Sequence, residues 1–393
     1  MLLFWGMENI EEKACLCALN RIFGFEPKTG LDLISHLGSA SGIFRMREDE
    51  LDGILGPFSR HRGEICRKAM DEAAEELTSL SAKGIQFCGI TEKSYPSLLK
   101  ECEDAPIGLY VRSDTDTSEL WTESSLAVVG TRDISPYGKE WCRRLVNGLA
   151  LTDRQPAIIS GLALGTDIEA HKTALEAGLP TIAVMATGPD SIYPFRHRET
   201  AERIASTPGC ALVTDYPPGT APLAINFLRR NRIIAGLSRA TILVESKIRG
   251  GGMATCRLAF SYHREVYALP GRVDDIRSQG CNELIKRQIA EPITSLSSLV
   301  SDLGMKVLDS SAKTDGIAEL RQYYRNRIGE EDLSLICAVV NAIRKKRAVT
   351  AEELAGLLKA DYSRITVLTG ILEIDGFISK DLLQRCSINP KFM

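Results

Sequence analysis

The chain has 393 residues, more than one core usually organises, and so implies two or three domains. Its 44% hydrophobic and 25% charged content is that of a globular protein and excludes a disordered or fibrous chain. A formal net charge of -3 excludes a uniformly basic nucleic-acid coat protein but leaves room for a local basic groove, because screening confines each patch to about 10 Å.

The opening MLLFWGMENIEEK is apolar but lacks a basic n-region, and its run is too short for a signal peptide. No apolar stretch reaches ~18 residues, so no membrane span is expected. Eleven scattered cysteines without a CxxC pair read as reduced thiols, and five histidines form no cluster with them. A cytoplasmic protein without a metal site is the expectation.

Residues 1–80 read as short helices. Ala14, Leu16, Ala18, Leu19, Ile22 and Phe23 supply an apolar face, and Gly30, Gly38, Gly53 and Gly56 punctuate the segments beyond it. The pattern fits a helix-hairpin-helix (HhH) or SAM-like nucleic-acid module, and equally a plain interaction domain.

From residue 81 to 308 the pattern alternates. Strands are expected at Ile85–Ile90, Gly108–Val111, Ser125–Val129, Ala157–Ser160, Thr181–Met185, Ala211–Thr214, Ala240–Glu245 and Val266–Leu269. Helices separate most of them, among them Tyr137–Ala150, Asp167–Ala177 and Glu199–Ala205. This order means an α/β fold with a doubly wound, mostly parallel sheet, whose ligands sit at the carboxyl ends of the strands.

Glycines fall at those ends. Gly130-Thr131-Arg132 follows one strand and leads to Ser135-Pro136, an N-cap with Pro at the first helical position. Ser160 to Asp167 (SGLALGTD) opens a second helix, and Gly250 to Thr255 (GGGMAT) a third. Each turn offers unpaired N–H groups and a positive helix end, and their convergence points to an anionic ligand. Between Phe227 and Arg257 the chain places seven Lys/Arg against one acid, Glu245. Arginines beside the aromatic Phe227 and a glycine turn read as a site for phosphates and bases. The plainer alternatives are a core residue for Phe227, a helix cap for Asn231 and a surface salt bridge for Arg232. Asp167 and His171, four apart on one helix face, read as loop braces rather than an acid/base pair.

Residues 309–332 are expected to be a linker that starts with the polar DSSAKTDG. In 333–393, Leu333–Ile343 is helical, Thr350 with Glu353 forms a capping box, and Arg364–Ile374 is a third helix before Gly376-Phe377-Ile378. Three helices and a wing make a winged-helix arrangement, which reads DNA through its third helix or binds a protein. Arg344 to Arg347 (RKKR) is by default a solvated loop.

In order along the chain, YPSLL (Tyr95 to Leu99), AVVGTR (Ala127 to Arg132), SPYG, SGLALGTDIEAH, TGPDSIYP, TDYPPGT, F-x-x-RNRIIAGLS, VES with GGGMAT, REVYALPG and GCNELI are present. Together they resemble the DprA/Smf family of DNA-processing proteins over about two hundred residues. The resemblance implies a Rossmann-like core that binds single-stranded DNA, forms a homodimer and helps load the RecA recombinase in natural transformation, with no cofactor and no catalytic group. Carried over by position, it implies DNA contacts from Gly130, Thr131, Arg132, Ser160, Gly161, Ala163, Phe227, Arg230, Asn231, Arg232, Lys247, Gly251 and Gly252. The chain departs from the family pattern at Leu164, where a Lys or Arg is common. It departs again at Gly250 and Gly252 in place of serines, at Thr131 in place of Ser, and at Asp215 in place of Glu.

The competing reading is a Rossmann-type nucleotide phosphoribohydrolase with Glu245, Arg232 and the Gly250–Thr255 loop as its site. Its GGxGT pattern is not met. A dinucleotide oxidoreductase is excluded because no GxGxxG with a later acid follows the first strand.

Overall fold

Alternating apolar residues build the sheet of the first unit. Leu126 and Val128 pack toward one face, with Cys142, Leu145, Val146 and Leu149 of helix Pro136–Ala150. Ala127 and Val129 pack toward the other, with Ile233 and Ile234 of helix Ala224–Gly236 and Cys256 of helix Gly251–Ser261. A strand with apolar residues on both sides must be covered twice, which is what a doubly wound sheet supplies. The computed structural model describes residues 2–56, 58–308, 316–325, 327–346, 348–381 and 383–388. By internal contacts the chain forms two compact units, Met1–Val307 and Leu308–Met393.

In the first unit the strands are β1 (Ile85–Gly89), β2 (Gly108–Arg112), β3 (Leu126–Val129), β4 (Ile158–Ser160), β5 (Thr181–Val184), β6 (Ala211–Thr214), β7 (Ala240–Leu243), β8 (Glu265–Ala268) and β9 (Glu291–Pro292). They form one sheet in the order β1-β2-β6-β5-β4-β3-β7-β8-β9. β1 with β2 and β2 with β6 are antiparallel, and the remaining neighbours are parallel. The chain winds outward from β3 through β4 and β5 to β6. It then crosses back over helix Ala224–Gly236 to β7 on the opposite side of β3. The switch point therefore lies between β3 and β7, where Gly130 and Glu245 leave their strands. This is the expected α/β, mostly parallel, doubly wound fold.

The N-terminal helices share a core with the sheet. Leu16, Leu19 and Phe23 of the first stretch join Phe87 and Tyr110 in one cluster. Asn20 donates to the Asp215 carbonyl at 2.8 Å and accepts from the Gly108 N–H at 3.1 Å, fixing that helix to the ends of β6 and β2. The described helices between Leu2 and Leu80 are thus continuous with the sheet rather than a body apart.

The second unit contains helices Gly316–Tyr324, Glu330–Lys346, Ala351–Leu358 and Tyr362–Ile374, and a two-stranded hairpin, β10 (Ile378–Lys380) with β11 (Cys386–Ile388). Thr350 and Glu353 close their capping box, Glu353 N–H to Thr350 Oγ1 at 3.2 Å and Thr350 N–H to Glu353 Oε2 at 3.1 Å. The expected linker is shorter than its 309–332 range. Residues 309–315 and Arg347 lie outside the described residues, but Ile317, Leu320 and Tyr324 are buried in the core of this unit. Their spacing, three and four apart on one helix face, is the reason.

Candidate nucleic-acid interface

The three carboxyl-end turns are locked to one another by backbone. The Thr131 carbonyl accepts from Thr166 N–H at 3.1 Å and from Thr166 Oγ1 at 3.3 Å, joining the turn after β3 to the helix after β4. A Cβ on Gly130 would come within 2.4 Å of Thr166 Oγ1, and one on Gly252 within 3.3 Å of the Gly130 Cα, so the first and third turns also touch. Gly165 has φ +76° and would place a Cβ 2.3 Å from the Thr131 carbonyl, so only glycine closes this junction. Ala163 donates its N–H to Asp167 Oδ2 at 3.3 Å. Burial pushes the Asp167 carboxyl up, opposed by the nearby Arg230 charge. Glu245, almost fully buried, accepts from Ser135 N–H at 2.9 Å and from Ser135 Oγ at 2.5 Å, so its carboxylate caps helix Pro136–Ala150.

The arginines expected in the pocket are committed inward. Arg230 is 3% exposed; its Nη1 donates to the Gly161 carbonyl at 2.6 Å and also to that of Val184. Burial lowers its pKa to about 10 even with Asp167 nearby. Gly161 is glycine because the Arg230 guanidinium sits where a Cβ would be, 2.1 Å away. Arg232 is 7% exposed, pairs with Asp215 Oδ2 at 2.5 Å and donates to the Asp104 carbonyl. Burial lowers its pKa, but Asp215 and Asp104 outweigh this and hold it above its ordinary value. Arg229 donates to the Gly24 carbonyl at 2.5 Å and lies 3.9 Å from the Phe25 ring centroid, bracing the N-terminal helices. Thus the arginines of the RRNR run tie the crossover helix to Gly24, Gly161, Val184, Asp104 and Asp215.

The fold also places Ser160, Asn231, Asp167 and His171. The Ser160 hydroxyl is wholly buried and donates to the Val128 carbonyl at 2.6 Å, so its side chain bridges β4 to β3. Asn231 is mid-helix, not a cap, and is largely buried. Asp167 and His171 do not pair with each other, in keeping with the reading that they are no acid/base pair: His171 Nδ1 bonds Thr181 Oγ1 at 2.7 Å, and burial, with Arg230, lowers its pKa to about 3.

What reaches the surface is a different group. Arg132 is exposed, and its guanidinium carbon lies 5.3 Å from the centroid of the half-buried Phe227 ring. Tyr193 meets the same ring edge-on at 5.5 Å and 64°. Lys247, Arg249 and Gly251 are exposed on the turn after β7, where among the described residues Lys247 and Arg249 make no ion pair. That turn is fixed near Arg132: Ser246 N–H donates to the Arg277 carbonyl at 2.7 Å, and Arg277 Nη2 holds Asp133 Oδ2 at 2.8 Å. Thr131 is half-buried, its Oγ1 accepting from Asp133 N–H at 3.2 Å.

The sequence profile of the family described as DNA recombination-mediator protein A matches residues 86–304, more than half of the chain. The chain belongs to that family. It is 33% identical over 314 residues to Protein Smf of Synechocystis sp., covering 77% of this chain and 76% of that protein. The X-ray structure of DNA processing protein A from Streptococcus pneumoniae superposes with a TM-score of 0.53 at 31% identity, covering 66% of this chain and 92% of that one. A structure of DNA processing protein A from Helicobacter pylori, described for its unique single-stranded DNA binding mode, matches with a TM-score of 0.49 at 30% identity, over 56% of this chain and 95% of that chain.

All thirteen residues carried over by resemblance lie within the family span, yet the fold divides them. Arg132, Phe227, Lys247 and Gly251 reach the surface. Gly130, Gly161 and Gly252 permit close packing, and Ser160, Arg230 and Arg232 hold the elements together. Tyr193 was missed. Its signal was present in TGPDSIYPFRHR, where two aromatics and two arginines flank a turn, but nothing local ties that loop to Phe227. In the second unit, Arg364 pairs with Asp332 at 2.7 Å and Glu331 at 3.3 Å, so the cation in the first turn of helix Tyr362–Ile374 is neutralised.

Proposed function

We propose that the chain is a recombination mediator that binds single-stranded DNA along the carboxyl edge of its sheet, protects it and loads the RecA recombinase in transformation and recombination. It acts without catalysis, as a cytoplasmic homodimer. The observation that carries this reading is the exposed Arg132 and Tyr193 gathered on the half-buried Phe227 ring, with Lys247 and Arg249 exposed on the turn after β7. Cations neutralise the backbone, and rings offer a face to any base, which together recognise a single strand of any sequence. Backbone amides of the Gly130–Arg132 and Gly250–Gly252 turns add to the anion site.

The phosphoribohydrolase reading needs Glu245 and Arg232 at a substrate. Both are bonded within the protein, to Ser135 and to Asp215. The neutralised Arg364 favours a protein-binding role for the second unit over DNA readout. Fluorescence anisotropy with labelled oligothymidine and a duplex of equal length, beside a ribose-release assay on nucleoside monophosphates, tests the proposal. Preferential binding of the single strand with no base release is expected; base release without DNA binding overturns it.

A further inference from the structure

Phe227 is the aromatic that the sequence motif offers for a base, but its ring already has two neighbours. The Arg132 guanidinium lies 5.3 Å from its centroid and the Tyr193 ring packs on it at 5.5 Å. A base stacking on Phe227 would have to displace one of them. Tyr193 carries only one of those contacts, the edge-on packing against Phe227: it is 47% exposed, and among the described residues its hydroxyl has no hydrogen-bond partner.

The loop that carries Tyr193 is held in place from several sides. His197 Nδ1 bonds the Leu162 carbonyl at 2.8 Å, anchoring the loop to the turn after β4. Thr187 Oγ1 donates to the Ser191 carbonyl at 2.6 Å, and Asp190 accepts from Gly219 N–H at 3.0 Å. A ring on a fixed loop, buttressed by a second ring, loses little freedom when it stacks.

We infer that Tyr193 presents the ring on which a base of the single strand stacks, with Phe227 as its buttress and Arg132 held by Phe227 over the neighbouring phosphate. This rests on the single-strand reading above. Paired bases in a duplex have no open face to offer, so the assignment also explains a preference for single strands at this point. Phe227 acts here as a positioning residue: its removal frees both Tyr193 and Arg132.

The test uses the full chain and oligothymidine carrying one 5-iodouracil, which crosslinks to a stacked ring on irradiation, with the adduct mapped by mass spectrometry. An adduct on Tyr193 is expected; adducts confined to Phe227, Phe195 or other residues overturn the assignment. Separately, Tyr193→Ala should weaken binding about 5- to 150-fold with an unchanged salt slope, since no ionic contact is lost. Tyr193→Phe should bind as the wild type does. Wild-type affinity in Tyr193→Ala removes Tyr193 from the site while leaving the single-strand reading in place. Failure of the wild-type chain to bind any single strand overturns both.

Discussion

The sequence motif makes Arg232 a phosphate ligand, whereas the fold makes it half of a buried ion pair, and one pair of variants separates the two. Arg232→Met keeps the aliphatic stem and removes the guanidinium. Asp215, whose side chain is 6% exposed, then stays buried without a counter-charge, and the Asp104 carbonyl loses its donor. Breaking a buried pair from one side costs about 3–5 kcal/mol, a large part of the ~5–15 kcal/mol that stabilises a typical protein. In a unit of this size the fall in Tm is on the order of 5–10 °C. The pair is imperfect, since Asp215 Oδ1 and Arg232 Nε have no hydrogen-bond partner among the described residues. Arg232→Met combined with Asp215→Leu should therefore recover most of the loss, as apolar replacements of buried pairs often do. Calorimetry gives Tm, and anisotropy gives affinity for oligothymidine. The double variant should melt near the wild type and bind DNA as the wild type does. A single variant that keeps its Tm but loses DNA, or a double variant that regains its Tm without binding, refutes the structural role.

Other consequences are more local. Gly165→Ala should destabilise the chain by about 1–3 kcal/mol or more, because the new Cβ meets the Thr131 carbonyl at 2.3 Å in a left-handed backbone; an unchanged Tm would show that the turn can shift. His171 is buried neutral with its pKa pushed from 6.5 to about 3, so the folded state holds fewer protons than the unfolded state across that window. Stability is then lost as pH falls from 6.5 toward 3, by up to about 1.4 kcal/mol per pH unit. His171→Phe should flatten the pH dependence of the urea midpoint there, and identical slopes would dismiss His171 as the cause. Arg364→Ala should leave oligothymidine affinity unchanged, because Asp332 and Glu331 already neutralise that charge; a tenfold loss (about 1.4 kcal/mol) would return DNA binding to the third helix of the second unit.

Much of this architecture is legible in the residues themselves. The strands around the site are short β-branched runs ending in glycine turns, so local pattern suffices for β3, β4 and β7. The two-residue β9 carries no pattern to read. Helix Gly316–Tyr324 is hidden by the polar segment before it, which draws the whole of 309–332 into a linker. The site divides along the same line. That Arg132 and Phe227 belong together follows from motif order, but the fate of Arg230 and Arg232 depends on partners distant in sequence: Gly161 and Val184 for one, Asp104 and Asp215 for the other. A run of arginines looks the same in sequence whether it faces phosphate or carbonyl oxygen. Tyr193 shows the converse, since an aromatic in a loop becomes informative only when the fold sets it against Phe227.

Central to the proposed function is Arg132 at the β3 turn, meeting a phosphate of single-stranded DNA. The most direct measurement is the dependence of oligothymidine binding on salt for the wild-type chain and for Arg132→Ala. The wild type should lose affinity steadily as salt rises. Arg132→Ala should bind more weakly, with its log–log slope shallower by about 0.7, the value for one phosphate contact on a single strand. Equal slopes for the two proteins, or wild-type binding insensitive to salt, would contradict that role.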